Sequence, residues 1–479
     1  MPHGEERPSF WPTISDGYMT TLNAPLRVAI IGAGPAGFYA AEHILRQSEN
    51  ASVHLFDRLP TPFGLVRAGV APDHAKIKNV TRIYDKTAAR EGFRFFGNVE
   101  YGRNLSLADL KRHYHAVIFT TGAQIDRRLG IAGEDLPRSH SATEFVAWYN
   151  GHPDYRDLDF DLTQKAAVIV GVGNVAVDVA RILCRTHEEL AKTDIADYAL
   201  EALRQSAVED VYVLGRRGPS QAAFTNPEAK ELGELEAADL LIDPSEAEPD
   251  AISAAEVEAN PNRETTRKIE MIGEYAGREV TGKPKRLHLR FLVSPTAIVP
   301  AADGGVGGVD VVSNELYLTD RGTARPRATD RTEHISTGLV FRSVGYRGIA
   351  LPDVPFREDW GVIRNEEGRI QDESGKTMAG LYTAGWIKRG PSGVIGTNKA
   401  CAVATGNLLL EDAAAGKLPE PESATSEDAA AFVRRSQPGM FSYDDWRQLD
   451  ALEVAAGEPA GRPRVKYTSV AEMAAALGR

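Results

Sequence analysis

The early part of the chain alternates short apolar runs with stretches of helical period. Arg27–Ile31 is a mostly apolar run, a glycine-rich turn follows it, and FYAAEHILRQ then places apolar side chains at helical spacing. A second apolar run, Ser52–Phe56, completes the unit. Strands buried on both faces of a parallel sheet read as unbroken apolar runs, so this order predicts a β–α–β unit.

The same pattern returns at Ala166–Val170, with a second glycine turn and the predicted helix VAVDVARILCR. The two turns begin at Gly32 and Gly171, a separation of domain size. Two such units predict two nucleotide-binding domains rather than a short-period repeat.

Further segments fill out these domains. The pattern predicts strands at Ala116–Ala123, Val211–Arg217, Lys285–Leu292, Glu315–Leu318, Gly338–Ser343 and Gly380–Trp386, the last leading through a glycine-rich turn into a helix. Two segments are predicted to be irregular: Asp243–Asn262, as a loop with a surface helix, and Asp412–Ala430, as a linker before a terminal helical region.

Composition limits the class of protein. With 479 residues, 42% hydrophobic and 25% charged, the chain has ordinary globular composition and room for roughly two to four domains. The net charge of −12 argues against nucleic acid as the main partner. No apolar run reaches the length of about 18 residues that predicts a membrane span.

The chain has 2 cysteines, Cys184 and Cys401, too few for a disulfide framework or a four-cysteine iron–sulfur cluster. Each is expected to be a small core residue. We therefore predict a reducing, cytoplasmic location. Residues 1–26 lack the features of a signal or transit peptide and are interpreted as a loose extension.

The first glycine turn carries the spacing of a dinucleotide-binding fingerprint. Gly32 permits a tight turn, Gly34 lets the backbone approach a pyrophosphate, and Gly37 allows close packing of helix on strand. Asp57 ends the next strand, where a carboxylate accepts hydrogen bonds from ribose hydroxyls. The turn therefore suits the adenosine of FAD or NAD; the alternative is a turn that serves packing alone.

The second fingerprint, Gly171-x-Gly173-x-x-Ala176, is followed by a strand that ends in Arg216 and Arg217 instead of an acid. A 2′-phosphate repels a carboxylate and pairs with guanidinium, so this site suits NADP(H). The alternative is that both arginines are simply solvated. Two dinucleotide sites, one of NADP type, imply hydride transfer between a nicotinamide and a flavin.

Long motifs then identify a family. GAGPAGFYAAE, LPTPFGLVRAGVAPDHAKIKNV, VGVGNVAVDVARIL, GRRGPSQAAFT, RSVGYRG and GWIKRGPSGVIGTNK resemble the adrenodoxin reductase-like NADPH–ferredoxin reductases, especially the bacterial FprA type. The resemblance runs from about Arg27 to the C-terminal GEPAGRPRVKY.

The resemblance implies roles for individual residues. For FAD it implies Ala36, Asp57 (where the family usually has Glu), Leu65, Val99, Trp386, Gly393, Val394 and Ile395. For NADP(H) it implies Arg127, Asn174, Val175, Ala176, Val177, Arg216, Arg217 and Glu228, with Gly393 near the nicotinamide. It also implies that His74 and Glu231 form a pair near the reacting rings, where a His–carboxylate pair tunes protonation and orientation. The alternative for His74 is a structural histidine.

The expected acceptor is a ferredoxin-type iron–sulfur protein. Ferredoxins are typically acidic, and the stretch Asn260–Leu292 carries eight Lys and Arg against four Glu, a local reversal of the chain's sign. We therefore expect docking near Arg263–Arg290; the alternative is a solvated face of helix and hairpin.

Together these observations predict an α/β protein with two Rossmann-like domains in a glutathione reductase-like arrangement, the NADP domain inserted into the FAD domain. The predicted boundaries are 27–125 and 351–479 for FAD, the latter with the C-terminal helical region, and 126–350 for NADP. Two alternatives remain: a flavin-dependent monooxygenase or oxidase, and a non-catalytic NADP(H)-sensing flavoprotein.

Overall fold

The computed structural model describes residues 25–479, which form two compact units. The first unit comprises residues 25–62, Arg82–Gly122 and Ala350–Tyr443. The second comprises Phe63–Thr81, Ala123–Ile349 and Asp444–Arg479. Each unit is built around its own parallel sheet.

The strands, in chain order, are β1 Arg27–Ile31, β2 Ser52–Phe56, β3 Phe93–Phe96, β4 Ala116–Phe119, β5 Ile125–Asp126, β6 Ser139–Ser141, β7 Ala166–Val170, β8 Asp210–Leu214, β9 Ala238–Leu241, β10 Lys285–Arg290, β11 Val293–Pro300, β12 Val306–Leu318, β13 Ala324–Ser336, β14 Leu339–Arg342, β15 Tyr346–Arg347, β16 Phe356–Arg357, β17 Val362–Ile363, β18 Asn365–Glu366, β19 Arg369–Gln371 and β20 Thr377–Thr383.

The helices are α1 Pro35–Gln47, α2 Leu65–Ala68, α3 Ala75–Lys78, α4 Thr81–Ala88, α5 Leu107–His113, α6 Ala142–Tyr149, α7 Asn174–Cys184, α8 His187–Leu190, α9 Asp197–Arg204, α10 Asn226–Leu232, α11 Pro244–Ala247, α12 Ala251–Ala259, α13 Arg263–Ala276, α14 Trp386–Arg389, α15 Thr397–Ala414, α16 Ser426–Ser436, α17 Tyr443–Gly457 and α18 Val470–Ala476.

The first unit holds a seven-stranded sheet in the order β18-β19-β20-β4-β1-β2-β3. The five strands from β20 to β3 run parallel, whereas β18 and β19 add an antiparallel edge. Every residue of the central strand β1 is buried, which explains why the run is apolar from Val28 to Ile31. The carboxyl ends of the parallel strands therefore define one edge of this sheet.

The second unit holds a six-stranded parallel sheet in the order β6-β14-β7-β8-β10-β9 and a separate antiparallel sheet, β11-β12-β13. Its largest buried cluster joins the parallel sheet to α6 and α7, with Phe145, Tyr149 and Phe341 completely buried. The second fingerprint lies between β7 and α7 in this unit.

Three predicted strands are confirmed to the residue: Arg27–Ile31, Ser52–Phe56 and Ala166–Val170. The helices after the glycine turns begin earlier than predicted, at Pro35 and Asn174, because a glycine serves as the N-cap of each. A proline at the first helical position costs no hydrogen bond, since its N–H would have had no partner there.

The antiparallel sheet departs most from prediction. β12 begins at Val306, within the glycine-rich segment, instead of at Glu315, and it pairs along its length with β13, which the pattern did not predict. β13 is an edge strand, mostly exposed and rich in charged side chains, so it carries no apolar alternation.

The segment predicted as a linker at Asp412–Ala430 is shorter in the structure. Helix α15 continues to Ala414 and α16 begins at Ser426, where Thr425 forms a capping box with Asp428. The capping pair ends the irregular segment earlier than composition indicated.

The predicted domain boundaries remain a prediction, and the units differ from them at two segments. Phe63–Thr81 and Asp444–Arg479 group with the second unit. They contact each other through Arg67 Nη1, 2.9 Å from Glu453 Oε2, and through the edge-to-face rings of Phe63 and Trp446. Such contacts between distant segments leave no signal in local sequence.

Candidate functional sites of the two units

The first glycine turn is closed by backbone contacts. Gly32 has φ +109°, and a Cβ there would lie 2.7 Å from the carbonyl oxygen of Thr120. A Cβ on Gly37 would lie 2.2 Å from the carbonyl oxygen of Gly32, to which the Thr120 hydroxyl donates a hydrogen bond of 2.7 Å. Both positions therefore require glycine.

The middle glycine of this turn has a different environment. Gly34 is the N-cap of α1, no side chain caps the helix, and a Cβ on Gly34 would meet no atom within 4 Å. Ala36 lies in the first helical turn and is buried. The uncapped N–H groups of this turn can therefore bind an anion, and the open space beside Gly34 would admit it.

Asp57 follows β2 and joins it to the turn. One carboxylate oxygen accepts a hydrogen bond of 2.9 Å from Ala33 N–H, the other accepts one of 3.0 Å from Leu59 N–H, and the Asp57 carbonyl accepts 2.9 Å from Val99 N–H. Burial raises the pKa of Asp57, although these N–H groups oppose the shift. The Asp57 carboxylate therefore stabilises the glycine turn, a role that the sequence did not indicate. It also retains lone pairs that can accept a hydrogen bond from a ligand hydroxyl.

The structure brings Trp386 to the same unit. It begins α14, and its indole N–H donates to the carbonyl of Ser392 at 3.2 Å. A Cβ on the preceding Gly385 would lie 2.7 Å from Cβ of Ala36, so this turn packs directly on the first fingerprint. Gly393 has φ +76° in the loop that follows.

The remaining residues that the resemblance implies for FAD divide between the units. Val99 is buried behind β3, whereas Val394 is exposed and Ile395 half-buried before α15. Leu65, at the start of α2, is 40% exposed and belongs to the second unit.

The second glycine turn repeats the construction of the first. Gly171 has φ +129°, and a Cβ there would lie 2.1 Å from the carbonyl oxygen of Ser343. Gly173 is the N-cap of α7, which also lacks a side-chain cap, and a Cβ on it would meet nothing within 4 Å. The first N–H groups of α7 therefore also face open space and can bind an anion.

Asn174 connects α7 to α10. Its side-chain amide donates to Oε1 of Glu228 at 3.2 Å and accepts from Thr225 N–H at 3.0 Å. Glu228 is 8% exposed, and its Oε2 has no hydrogen-bond partner among residues 25–479. A buried acceptor without a partner fits a ligand that brings its own donor.

The cationic residues follow β8. Arg216 is exposed and Arg217 half-buried, and burial together with neighbouring Arg216 and Arg325 lowers the pKa of Arg217. Arg127 is exposed after β5, and its N–H donates to the Gly345 carbonyl at 2.9 Å. Guanidinium groups that repel one another in this way favour a bound anion.

The second unit also brings His74 and Glu231 together. Nε2 of His74, the N-cap of α3, lies 2.8 Å from Oε2 of Glu231 in α10. The His74 side chain is 10% exposed and that of Glu231 33%. The structure therefore brings the predicted pair into hydrogen-bond contact.

Three charged residues that the sequence did not indicate surround this pair. Asp73, Asp178 and the fully buried Arg181 adjoin it, with His74 Nδ1 3.9 Å from Asp178. The i,i+3 spacing of Asp178 and Arg181 was the available signal, but on a helix this spacing is also typical of solvent-exposed ion pairs.

Burial and charge oppose each other in this cluster. Burial lowers the pKa of His74, but the hydrogen bond that its imidazole donates to Glu231 and the charges of Asp178 and Asp73 outweigh burial, and the net shift of the pKa is upward. Burial raises the pKa of Asp178 to about 6 against the attraction of Arg181. Burial also opposes ionisation of Glu231, but His74 and Arg181 lower its pKa.

The two cysteines are unpaired. Cys184 is buried on α7, and burial raises the pKa of its thiol to about 12, which makes it unreactive. The Cys401 sulfur accepts a hydrogen bond from Gly385 N–H at 3.3 Å.

Two parallel sheets, each with a glycine turn that leads into an uncapped helix, define an α/β oxidoreductase with two dinucleotide sites. The family model for pyridine nucleotide-disulphide oxidoreductases matches residues 26–213. The NADPH-ferredoxin reductase FprA of Mycobacterium leprae is 42% identical over 452 residues, which cover 93% of this chain and 97% of that protein.

Two further comparisons agree. Human mitochondrial NADPH:adrenodoxin oxidoreductase is 40% identical over 98% of this chain and 95% of its own. The structure of Mycobacterium tuberculosis FprA in complex with NADPH matches with a TM-score of 0.89 and 42% identity, over 95% of this chain and 100% of that one. The chain belongs to the family of NADPH–ferredoxin and adrenodoxin reductases.

This membership confirms the resemblance, the α/β fold with two dinucleotide-binding domains, and the enzyme class, a ferredoxin–NADP⁺ reductase of adrenodoxin reductase type that uses FAD and NADPH. It favours that class over a monooxygenase, an oxidase or a nucleotide sensor. Within residues 25–479, the helices are too short or too polar for any of them to cross a membrane.

Proposed function

We propose that this chain takes electrons from NADPH and passes them through FAD to a ferredoxin-type iron–sulfur protein. The observation that carries the proposal is the contrast between the two glycine turns, of which one is followed by Asp57 and the other by Arg216 and Arg217. The names of the family's members support the acceptor class.

In this proposal the first unit binds FAD. The glycines 32, 34 and 37 shape the pyrophosphate site, and the uncapped helix after them, with Ala36 in its first turn, offers its N–H groups to the phosphates. Asp57 accepts from the ribose while it braces the turn. We assign Val99, Trp386, Gly393, Val394 and Ile395 of this unit to contacts with the remainder of FAD. The FAD contact of Leu65 remains a prediction from the resemblance.

The second unit binds NADPH. Asn174, Val175, Ala176 and Val177 form the helix start that receives the pyrophosphate, and Arg216 and Arg217 bind the 2′-phosphate. We assign Arg127 to a further phosphate contact and the free Oε2 of Glu228 to a hydrogen bond with a ligand donor. The repulsion between Arg216 and Arg217, and the Glu228 oxygen that has no hydrogen-bond partner within the described part of the chain, support this assignment.

FAD, when bound, takes up the two electrons that NADPH delivers as a hydride and gives them singly to a one-electron acceptor. The chain's own residues bind and orient the two cofactors. We assign His74 and Glu231 to orientation and protonation at the nicotinamide end. Their short hydrogen bond fixes the imidazole and retains a proton between Nε2 and the carboxylate.

The acceptor requires a docking surface, and only part of Arg263–Arg290 suits one. Lys285 donates to the Leu183 carbonyl, and Arg290 pairs with Glu246 and Glu333. These side chains already form contacts within the second unit and are therefore less available to a partner.

Helix α13 leaves more charge available. Arg263 is exposed and pairs with no described acid, and Arg267 is half exposed and pairs with Glu270 and Glu274 on the same helix. Exposed pairs of this kind are weak, so an acidic partner can compete for Arg267. We therefore propose the start of α13 as the docking face.

We also propose a cytoplasmic location, because both cysteines are unpaired, as is usual in a reducing compartment.

Stopped-flow mixing with NADPH tests the function directly. The yellow protein should bleach in one phase, and its absorbance should recover when an oxidised ferredoxin is added. Arg263→Glu with Arg267→Glu should slow ferredoxin reduction and weaken its salt dependence. Reduction of ferricyanide should be unchanged, because a small acceptor needs no docking face. Absence of bleaching in the parent protein would exclude reduction of the flavin by NADPH. An equal loss of ferredoxin reduction and ferricyanide reduction in the variant would exclude only the proposed docking face.

A further inference from the structure

Arg181 is the largest fully buried side chain of the described residues, and it is charged. Burial of a lone guanidinium is strongly unfavourable, so such a group persists only when acids surround it. Here burial lowers the pKa of Arg181, but Asp73, Asp178 and Glu231 outweigh it and raise the pKa.

The three acids come from different parts of the second unit. Nε of Arg181 lies 2.6 Å from Asp73 Oδ2, in the loop before α3, and Nη2 lies 2.8 Å from Asp178 Oδ1, one turn earlier on α7. Nη1 lies 3.0 Å from Oε2 of Glu231, on α10, and forms an ion pair with it whose angles are not those of a hydrogen bond. A planar group with donors on three sides is suited to holding three elements in one arrangement.

The contact with Glu231 carries the functional argument. Oε2 of Glu231 is the same atom that lies 2.8 Å from Nε2 of His74. One carboxylate oxygen thus lies between a buried guanidinium and the imidazole. The Glu231 side chain is 33% exposed, so without Arg181 it could rotate towards solvent.

The opposite side of the pair is held as well. Asp73 directly precedes His74, and both Arg181 and Arg185 bind its carboxylate, the latter at 2.7 Å. The loop that carries His74 is therefore fixed to α7, the helix that begins at the second glycine turn.

The same two helices are joined at the nucleotide end. Asn174, the first residue of α7, binds Glu228 on α10, and Arg181, two turns later on α7, binds Glu231 on α10. The pair of helices α7 and α10 thus carries both the proposed phosphate site and Glu231, the carboxylate of the His–Glu pair.

We propose that Arg181 is a positioning residue for the reduction of the flavin by NADPH: it fixes the Glu231 carboxylate against His74. The inference rests on the proposed function. Arg181 acts through Glu231, because Arg185 still holds Asp73 and with it the His74 loop when Arg181 is replaced. Its effect on the rate should therefore disappear when the Glu231 charge is removed.

A double-mutant cycle tests this statement. Arg181→Lys keeps the charge but cannot serve three acids, and it should slow flavin reduction about tenfold, a loss typical of modest misplacement, with the NADPH dissociation constant changed by less than about twofold. In Glu231→Gln protein the same substitution should slow reduction by less than about twofold further.

The pH profile of flavin reduction gives a second readout. His74 is faced by Glu231 from α10, by Asp178 and Arg181 from α7, and by Asp73 from its own loop, while Tyr149 of α6 adjoins Asp178. Loss of the guanidinium should displace the profile, because the imidazole and Glu231 then share a proton differently.

Arg462→Gln is the matched control. Arg462 also belongs to the second unit, and its side chain is only 7% exposed, but it binds Asp197 and the carbonyls of Thr193 and Ile195 and contacts neither His74 nor Glu231. It should lower the free energy of unfolding and leave the reduction rate and pH profile unchanged.

Glu231→Asp keeps the test decisive if Arg181→Lys does not fold. It retains the charge and the contacts of Arg181 with Asp73 and Asp178 but withdraws the carboxylate, and it should slow reduction to the same degree. A folded Arg181→Lys or a Glu231→Asp protein with the parent's rate and pH profile overturns the proposal, as does a loss that adds fully to that of Glu231→Gln. If the parent itself is not reduced by NADPH, the proposed function fails instead.

Discussion

Nε2 of His74 lies 2.8 Å from Oε2 of Glu231, although 157 residues separate the two in the sequence. Their elements, α3 and α10, are short, and neither has a local pattern that indicates the other. The contact exists because Arg181 and Asp73 fix the His74 loop to α7, while Asn174 fixes the start of α10 to the same helix.

Substitution of either member of this pair should slow flavin reduction without loss of FAD. We expect His74→Gln and Glu231→Gln each to reduce the rate by less than about 10²-fold, the effect typical of a group that transfers a proton in the transition state. Stopped-flow absorbance measures the rate, and the flavin content per chain serves as the control. Rates equal to the parent's would mean that the pair is structural only.

Asp178 should make stability depend on pH. Its folded pKa is raised to about 6, so its contribution is present below an unfolded value of about 4 and is lost as pH rises through 6. Asparagine has no proton to lose. The free energy of unfolding of the parent, relative to Asp178→Asn, should therefore fall by about 1–3 kcal/mol between pH 4 and 7 in urea titrations.

Asp73 differs from Asp178 because folding lowers its pKa instead of raising it. Burial opposes ionisation of Asp73, but Arg181 and Arg185 lower its pKa well below the ordinary range. Its contribution is therefore complete above about pH 5. The Asp73→Asn variant should be destabilised by an equal amount at every pH from 5 to 7, and a slope in this range would contradict the charge assignment.

Two glycines of the first turn should respond differently to alanine. A Cβ on Gly37 would lie 2.2 Å from the Gly32 carbonyl, so Gly37→Ala should prevent the turn and lower the melting temperature even of flavin-free protein. Gly34→Ala meets no protein atom, so the flavin-free protein should keep its stability while its affinity for FAD falls. Flavin released on denaturation should be FAD; recovery of FMN would refute the cofactor assignment.

Arg216→Ala with Arg217→Ala should weaken NADPH far more than NADH. A charge-assisted hydrogen bond contributes about 1.5–3 kcal/mol, equivalent to about 10- to 150-fold in binding. The dissociation constants of NADPH and NADH should be measured for the parent and the variant. An equal loss of affinity for the two nucleotides would show that the arginines do not bind the 2′-phosphate.

The sequence by itself determined the elements whose burial is uniform. The central strands β1, β2 and β7 are mostly apolar because parallel strands are covered on both faces, and glycines 32 and 171 are required by local backbone geometry. These features predict two dinucleotide-binding domains, and the acid or arginine pair after each unit indicates which nucleotide it suits.

Only the tertiary structure decided the surroundings of His74 and the membership of the C-terminal segment. Arg181 and Asp178 read as an ordinary helical ion pair, and they become a buried cluster because α10 and the loop with Asp73 pack over them. Asp444–Arg479 joins the second unit through contacts such as Arg67 with Glu453, nearly 400 residues apart. Local periodicity predicts that such charged residues face solvent. They are buried as ion pairs only because distant segments pack over them, and local sequence does not indicate which segments these are.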